Sequence, residues 1–323
     1  MFEFYKQIQD ELNAVDTVIK QAVINHSQSD IDAIGDHILQ EKGKQIRPAS
    51  CLLAYRLFQP NNAIPQSVIE VAAAIELIHM ASLIHDDIID QAPLRHNIQT
   101  IHTKWNTNVA ITMGVYFYSL ALELLTKANS IAIIQTISQA VNQLCVGELT
   151  QVFERHNYEM SISQYLSIIY QKTAALFESA CCIGAQLAGA NADQQASLGH
   201  FGQSLGYGFQ IIDDYMDIMS QNDMLHKKIG QDAEVGDLTL PFILYLKTAS
   251  SVEKEAMVGA LKSNDRDKLR QLKLQLKTSS AISETKRMAI DYLSKAKNEI
   301  QRHESQYQAS FVEIIDYIRK RAF

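Results

Sequence analysis

Three carboxylates fall within five positions at Asp86, Asp87 and Asp90, in the stretch Leu83-Ile84-His85-Asp86-Asp87-Ile88-Ile89-Asp90. On a helix Asp86 and Asp90 lie one above the other, with Asp87 turned about 100° away. Pro93 disfavours helical geometry at the residue before it, so the acids fall in a last helical turn, where the backbone dipole is already negative. Three anions there need a cation, and oxygen ligands suit Mg2+ or Ca2+ rather than zinc. The spacing recurs at Asp213, Asp214 and Asp217, again behind an apolar run, Ile211-Ile212. One such triplet is usually a solvated helix end. Two, each behind an apolar run, are hard to explain by solvation; facing each other, they could hold several divalent ions and a polyanion.

Basic groups accompany both clusters. Gly43-Lys44-Gln45-Ile46-Arg47-Pro48 puts two cations beside a glycine and ahead of a helix expected to begin at Pro48, a combination suited to a phosphate. Arg95-His96 follows the first cluster within a few residues, and Lys227-Lys228 follows the second. Lys172-Thr173 sits in the middle of an apolar stretch, where a cation is costly unless it snorkels or finds a partner. His79 alone reads as a hydrogen-bonded core histidine, and His85 as a residue that orients an aspartate. Lys44, Arg47 and Lys228 taken singly read as surface charges; the conjunction carries the weight.

The elements that must position these groups are helices. Apolar residues recur at three- and four-residue spacing, without sustained alternation and without an Asn-Gly or Asp-Gly hairpin signal. The five prolines, Pro48, Pro60, Pro65, Pro93 and Pro241, can all be placed outside helix interiors. The pattern predicts helices near 2–25, 29–41, from 48, 66–91, 105–127, 129–155, 161–190 and 194–220, with shorter ones over 241–320. Loops are expected at 42–47, 92–104 and 222–238. Gly199, Gly202 and Gly206, at helical spacing, read as close helix packing. No low-complexity linker divides the chain, so residues 1–323 read as one all-α domain.

Composition narrows the function. A 47% hydrophobic content supplies a sizeable core, and a net charge of −7, from 29 basic and 36 acidic residues, argues against nucleic acid as the main partner. Cys51, Cys145, Cys181 and Cys182 show no metal or redox spacing and read as buried small hydrophobes in a reducing cytoplasm. The N-terminal residues show no signal-peptide pattern. The uncharged stretch from Trp105 to Leu122 approaches a membrane span in length, but Asn106, Thr107, Asn108, Thr112 and Ser119 make a helix buried on most sides the better reading.

The motifs together, Gly43 to Pro48, Leu83 to Asp90, Leu94-Arg95, Gly147-Glu148-Leu149, Lys172-Thr173-Ala174, Gln210-Ile211-Ile212-Asp213-Asp214 and Thr239-Leu240-Pro241, closely resemble the trans-polyprenyl diphosphate synthases, in that family's order. The resemblance implies the all-α isoprenoid synthase fold, a large helical bundle around a central active-site cavity, with three Mg2+ ions and a homodimer. It implies that an allylic diphosphate is held through Mg2+ by Asp86, Asp90 and Asp213, supported by Asp87, Asp214 and Asp217. Arg95, Lys172, Thr173, Gln210 and Lys228 would contact the same diphosphate. Isopentenyl diphosphate falls to Lys44, Arg47 and His79, with His96 in the place of a second arginine. Pyrophosphate departs to leave an allylic carbocation, the alkene of isopentenyl diphosphate attacks it, and a proton is lost to the released pyrophosphate.

Some positions depart from the family pattern. Besides His96, Asn97 replaces a usual glycine, Val115 a usual aspartate, Lys42 the first of a glycine pair and Lys227 the glycine before the lysine. None removes a metal ligand. Ser82 and Ala81, four and five residues before Asp86, are small, so a tail growing along this helix meets no bulky group one turn up. A floor at Ile78, or at Tyr116 and Phe117 of the facing helix, predicts a product longer than farnesyl diphosphate. Three alternatives remain: the catalytic subunit of a hetero-oligomeric synthase with a small second subunit, a terpene cyclase of the same fold, and a non-catalytic regulatory subunit.

Overall fold

The computed structural model describes residues 3–24, 29–40, 43–219, 235–263 and 266–322. A 3-10 turn, Glu3–Ile8, opens the chain, followed by α1 (Gln9–Val23), α2 (Ser29–Leu39), α3 (Ile46–Phe58) and α4 (Gln66–Ile89). A hairpin of β1 (Leu94–Arg95) and β2 (Ile98–Gln99) leads to α5 (Ile101–Lys104), α6 (Thr107–Thr126) and α7 (Ile131–Phe153). Then come α8 (Ile162–Ile169), α9 (Ala175–Leu187), α10 (Ala192–Met219), α11 (Leu240–Thr248), α12 (Ser251–Ser263), α13 (Arg266–Thr278), α14 (Ser280–Ile300) and α15 (Gln308–Lys320). The all-α expectation holds, with two two-residue strands as the only sheet among the described residues.

The chain groups into two compact units: Met1–Val141, Leu176–Gly202 and Glu299–Ile314 in the first, and Asn142–Ala175, Gln203–Asn298 and Ile315–Phe323 in the second. In the first, α4 is apolar on nearly every side: Val68, Ile69, Val71, Ala72, Ala73, Ala74, Ile75, Leu77 and Ile78 are all buried. Pro65 precedes it in extended geometry, as the fixed proline φ favours at a helix start. Packed along α6, α4 comes so close that a Cβ on Gly114 would overlap the His85 ring. Gly202 on α10 likewise lies against the Phe177 carbonyl of α9. In the second unit Gly206 lies against Ala174, so Gly202 and Gly206 serve close packing, whereas a Cβ on Gly199 would meet Glu178 only at an ordinary 3.7 Å.

Four local expectations need correction. First, α3 begins at Ile46, which puts Arg47 and Pro48 in its first turn. Second, the expected loop 92–104 holds the hairpin, turned by His96 (φ 46) and Asn97 (φ 68). Two positive φ values make a two-residue turn whose twist matches the strands, and asparagine tolerates that geometry. Third, the expected helix 161–190 is interrupted by a π-helical turn at Tyr170–Ala174. Fourth, α6 is not buried on most sides: only 39% of its most apolar window is buried, against 67% for α4, and Ile111, Val115 and Leu122 stand exposed in a stripe. Both helices are long and apolar enough to cross a membrane by length and composition alone. Cys51 and Cys181 are buried, but Cys182 is half-buried and Cys145 exposed. Lys227, Lys228 and most of the loop at 222–238 lie outside the described residues.

Candidate active site

The first cluster ends α4. Asp86 and Asp90 are half-buried one turn apart, and Asp90 is the residue that caps the helix, its N–H donating to the Asp86 carbonyl. Asp87, on another face, is 7% exposed, and its Oδ1 accepts from Arg95 Nε at 2.9 Å and Nη2 at 2.8 Å. Arg95 is on β1, so the hairpin brings the cation back onto the helix end that the acids disfavour. His85 does not orient an aspartate: its Nε2 lies 3.2 Å from the Ile111 carbonyl, to which it donates. His96 is exposed at the hairpin turn.

The isopentenyl diphosphate candidates also come from this unit. Arg47 is buried with its guanidinium 4.4 Å from the centre of the Phe177 ring. His79 is pushed well below the ordinary histidine range, first by burial and then by the nearby charges of Arg47 and Arg95. It is therefore neutral at pH 7 and sits among cations, a setting that favours an anion. The Ser82 hydroxyl donates to the His79 carbonyl at 2.8 Å, Ala81 is fully buried and Ile78 nearly so. On α6, Phe117 is fully buried and Tyr116 half-buried.

In the second unit, the cluster ends α10. Asp214 is 4% exposed and accepts from the Tyr165 hydroxyl at 2.7 Å, Gln210 Nε2 at 3.1 Å and the Leu240 N–H at 3.3 Å. Burial outweighs these three donors and holds its carboxyl up at about 6. Asp213 pairs with Arg321 beyond α15 at 2.7 Å. Asp217 is raised by burial against the pull of Lys273. The Thr173 hydroxyl donates to Gln210 Oε1 at 2.8 Å, so Thr173, Gln210, Asp214 and Tyr165 form one chain of hydrogen bonds. Lys172 pairs with Glu148 at 2.6 Å, and a Cβ on Gly147 would stand 2.9 Å from the Lys172 nitrogen, which is why glycine is needed beside the π turn. Such turns aim side chains that a regular helix would direct elsewhere.

Reasoning from the sequence missed Tyr165 and Arg321 and gave Glu148 no role, although Glu148 lies in a quoted motif. Arg321 carries a signal in the basic run Arg319-Lys320-Arg321; Tyr165 carries none. Among the described residues no group of three or more His, Cys, Asp or Glu side chains is placed to hold a metal ion. A cavity of about 450 Å3 lined by Tyr158, Met160, Ile243 and Lys254 contains none of the candidate residues.

Two helix ends that carry acidic triplets, with cations close by, fit an enzyme that handles a polyanion through divalent ions. Comparison with known proteins makes the class specific. The model of the polyprenyl synthetase family matches residues 28–277. Heptaprenyl diphosphate synthase component 2 of Bacillus subtilis is 32% identical over 323 residues, 99% of this chain and 90% of that protein. Heptaprenyl diphosphate synthase of Staphylococcus aureus superposes with a TM-score of 0.90 at 29% identity, over 98% of this chain and 99% of that one. The polyprenyl synthase of Caulobacter crescentus, solved with calcium and isoprenyl diphosphate, superposes with a TM-score of 0.92 at 28% identity, over 99% and 97%. The chain belongs to the polyprenyl synthetase family, has the isoprenoid synthase fold and is a prenyltransferase.

Proposed function

We propose that this prenyltransferase condenses an allylic diphosphate head-to-tail with isopentenyl diphosphate in a Mg2+-dependent reaction, giving a product longer than farnesyl diphosphate. The observation that carries the substrate assignment is the placement of two cations, Arg47 and Arg95, around the buried His79, with Arg95 also on Asp87 of the first acid cluster, a setting for an anion. Lys44, Arg47 and His79 bind isopentenyl diphosphate, with His96 at its edge; Arg95, Lys172, Thr173, Gln210 and Lys228 bind the allylic diphosphate.

The outer pairs, Asp86 with Asp90 and Asp213 with Asp217, offer only oxygen donors, with Asp213 also paired to Arg321. One or two carboxylates completed by phosphate oxygens and water suit Mg2+, so the residues fit the ion. These carboxylates would hold Mg2+, which would supply positive charge to offset that of a departing pyrophosphate. Arg95 beside the first cluster, and Lys172 beside the second, supply fixed positive charge for a diphosphate, and Thr173 and Gln210 supply a polar pair through their shared hydrogen bond. Ala81 and Ser82 leave room for the tail, and Ile78 with Phe117 sets its floor. Labelled isopentenyl diphosphate offered with C10, C15 and C20 allylic starters and Mg2+ tests the reading: products beyond C15 support it. Products stopping at C15 remove the length assignment, and turnover without isopentenyl diphosphate favours a cyclase.

The exposed apolar stripe of α6 supports a homodimer in the cytoplasm, the compartment that the free thiols suit. A second reading, favoured by the name of the Bacillus relative as one component of a synthase, gives the chain a small second subunit. Elongation by the purified chain alone supports the first; elongation only after adding a second protein supports the second.

A further inference from the structure

Glu76 lies on α4 ten residues before Asp86, is 6% exposed, and has no part in the chemistry above. Its Oε2 is buried without a hydrogen-bond partner. Burial outweighs the attraction of Arg47, with Asp16 adding a smaller upward push, and the carboxyl stands at about 7. A buried, incompletely bonded carboxyl destabilises a fold, so its presence calls for a compensating role.

Its surroundings supply one. A methyl group placed on Gly43 would stand 3.6 Å from Glu76 Oε1, so the carboxyl lies against the backbone of the loop that carries Lys44. Residues outside the motif tie that loop down twice more: the Tyr5 hydroxyl donates to the Lys44 carbonyl, and the Gln45 amide donates to Asp16. Gln45 is in the left-handed region at φ 50 and opens α3 without a side-chain cap, so the turn that presents Lys44 and Arg47 is strained and needs these ties. Arg47, a few residues on, is already placed by the Phe177 ring.

We propose that Glu76 is a positioning residue for the isopentenyl diphosphate site: it braces the Gly43–Gln45 loop, so that Lys44 converges with the ring-placed Arg47 on one diphosphate. The inference rests on the assignment of those two cations to isopentenyl diphosphate.

Steady-state kinetics of the full chain with each substrate varied in turn tests it, alongside Arg47→Ala as a check on the assignment. Glu76→Gln is expected to raise KM for isopentenyl diphosphate about tenfold, with KM for the allylic diphosphate and kcat within about twofold. Gln45→Asn shortens the tie to Asp16 but keeps a residue that tolerates left-handed backbone, and should shift the same KM in the same direction. If Glu76→Gln fails to fold, Gln45→Asn decides alone. Arg47→Ala without effect on KM for isopentenyl diphosphate overturns the site assignment. Arg47→Ala with an effect, while the folded Glu76→Gln or Gln45→Asn protein leaves that KM unchanged or raises both KM values equally, overturns the inference and leaves the assignment standing.

Discussion

Asp87 and Asp214 occupy the same place in the same acid-acid-x-x-acid spacing, both are buried, and they are held by opposite means. Asp87 is met by a full charge, the Arg95 guanidinium, at 2.8 and 2.9 Å. Asp214 is met by dipoles alone, a phenol, an amide and a backbone N–H, and its carboxyl is raised to about 6. In each triplet the middle acid is the most buried and anchors its helix end. The difference lies in what happens when the anchor is altered: an ion pair leaves a charge behind, whereas a hydrogen-bond chain can rearrange.

The largest effect should come from the outer acids. Asp86→Ala and Asp213→Ala are each expected to lower kcat about a thousandfold, measured as isopentenyl diphosphate incorporated at saturating Mg2+. Equal losses would show that the clusters share the work; a loss confined to one would break the symmetry. Glu76, a third buried acid whose burial dominates, sharpens the contrast by pH. Its folded pKa of about 7 lies above the ordinary 4.5, so the folded state binds the proton more tightly. On its account stability falls as pH rises from 4.5 to 7 and is level above. Glu76→Gln should therefore be more stable than the parent by about 3 kcal/mol at pH 8, an advantage that largely disappears by pH 4.5, as read from urea unfolding at both pH values.

The anchors themselves should differ. Asp87→Asn leaves Arg95 facing an amide and is expected to cost about 1–2 kcal/mol in thermal unfolding, less than a fully buried pair because Arg95 is 30% exposed. Asp214→Asn can keep its acceptor toward Tyr165 and Leu240 while Gln210 turns its amide over, with Thr173 able to accept in turn. The cost should stay below about 1 kcal/mol. Equal costs would erase the distinction. Smallest in energy, Ala81→Phe should leave initiation intact and shorten the products, read by chain-length analysis; unchanged lengths would remove the tail from this face of α4.

Much of this was legible in the sequence, for physical reasons that also mark where legibility stopped. The long apolar run of α4, bounded by Pro65 and Pro93, admits little but a buried helix, and its acids could only fall at the end. The hairpin was hidden because His96-Asn97 makes the turn that Asn-Gly usually announces. Periodicity reports that α6 is apolar, but not what covers it. The π turn was invisible because one extra residue leaves no mark in a short stretch where apolar and polar residues still recur at near-helical spacing. The anchors Arg95 and Tyr165 show the remaining limit: the first, eight residues from its aspartate, was singled out for a diphosphate and not for Asp87, while the second, 49 residues away, was not singled out at all.

The π turn at Tyr170–Ala174 also bears on which changes in chain length this region can absorb. A regular helix advances about 100° per residue, so one surplus residue within a turn sets the angular phase of everything after it. Losing any single residue between 170 and 174 would give a smoother backbone while swinging Lys172 away from Glu148 or Thr173 away from Gln210. Here a deletion that makes the helix more regular would make the enzyme worse, and reading frame along the helix becomes a selected trait in its own right.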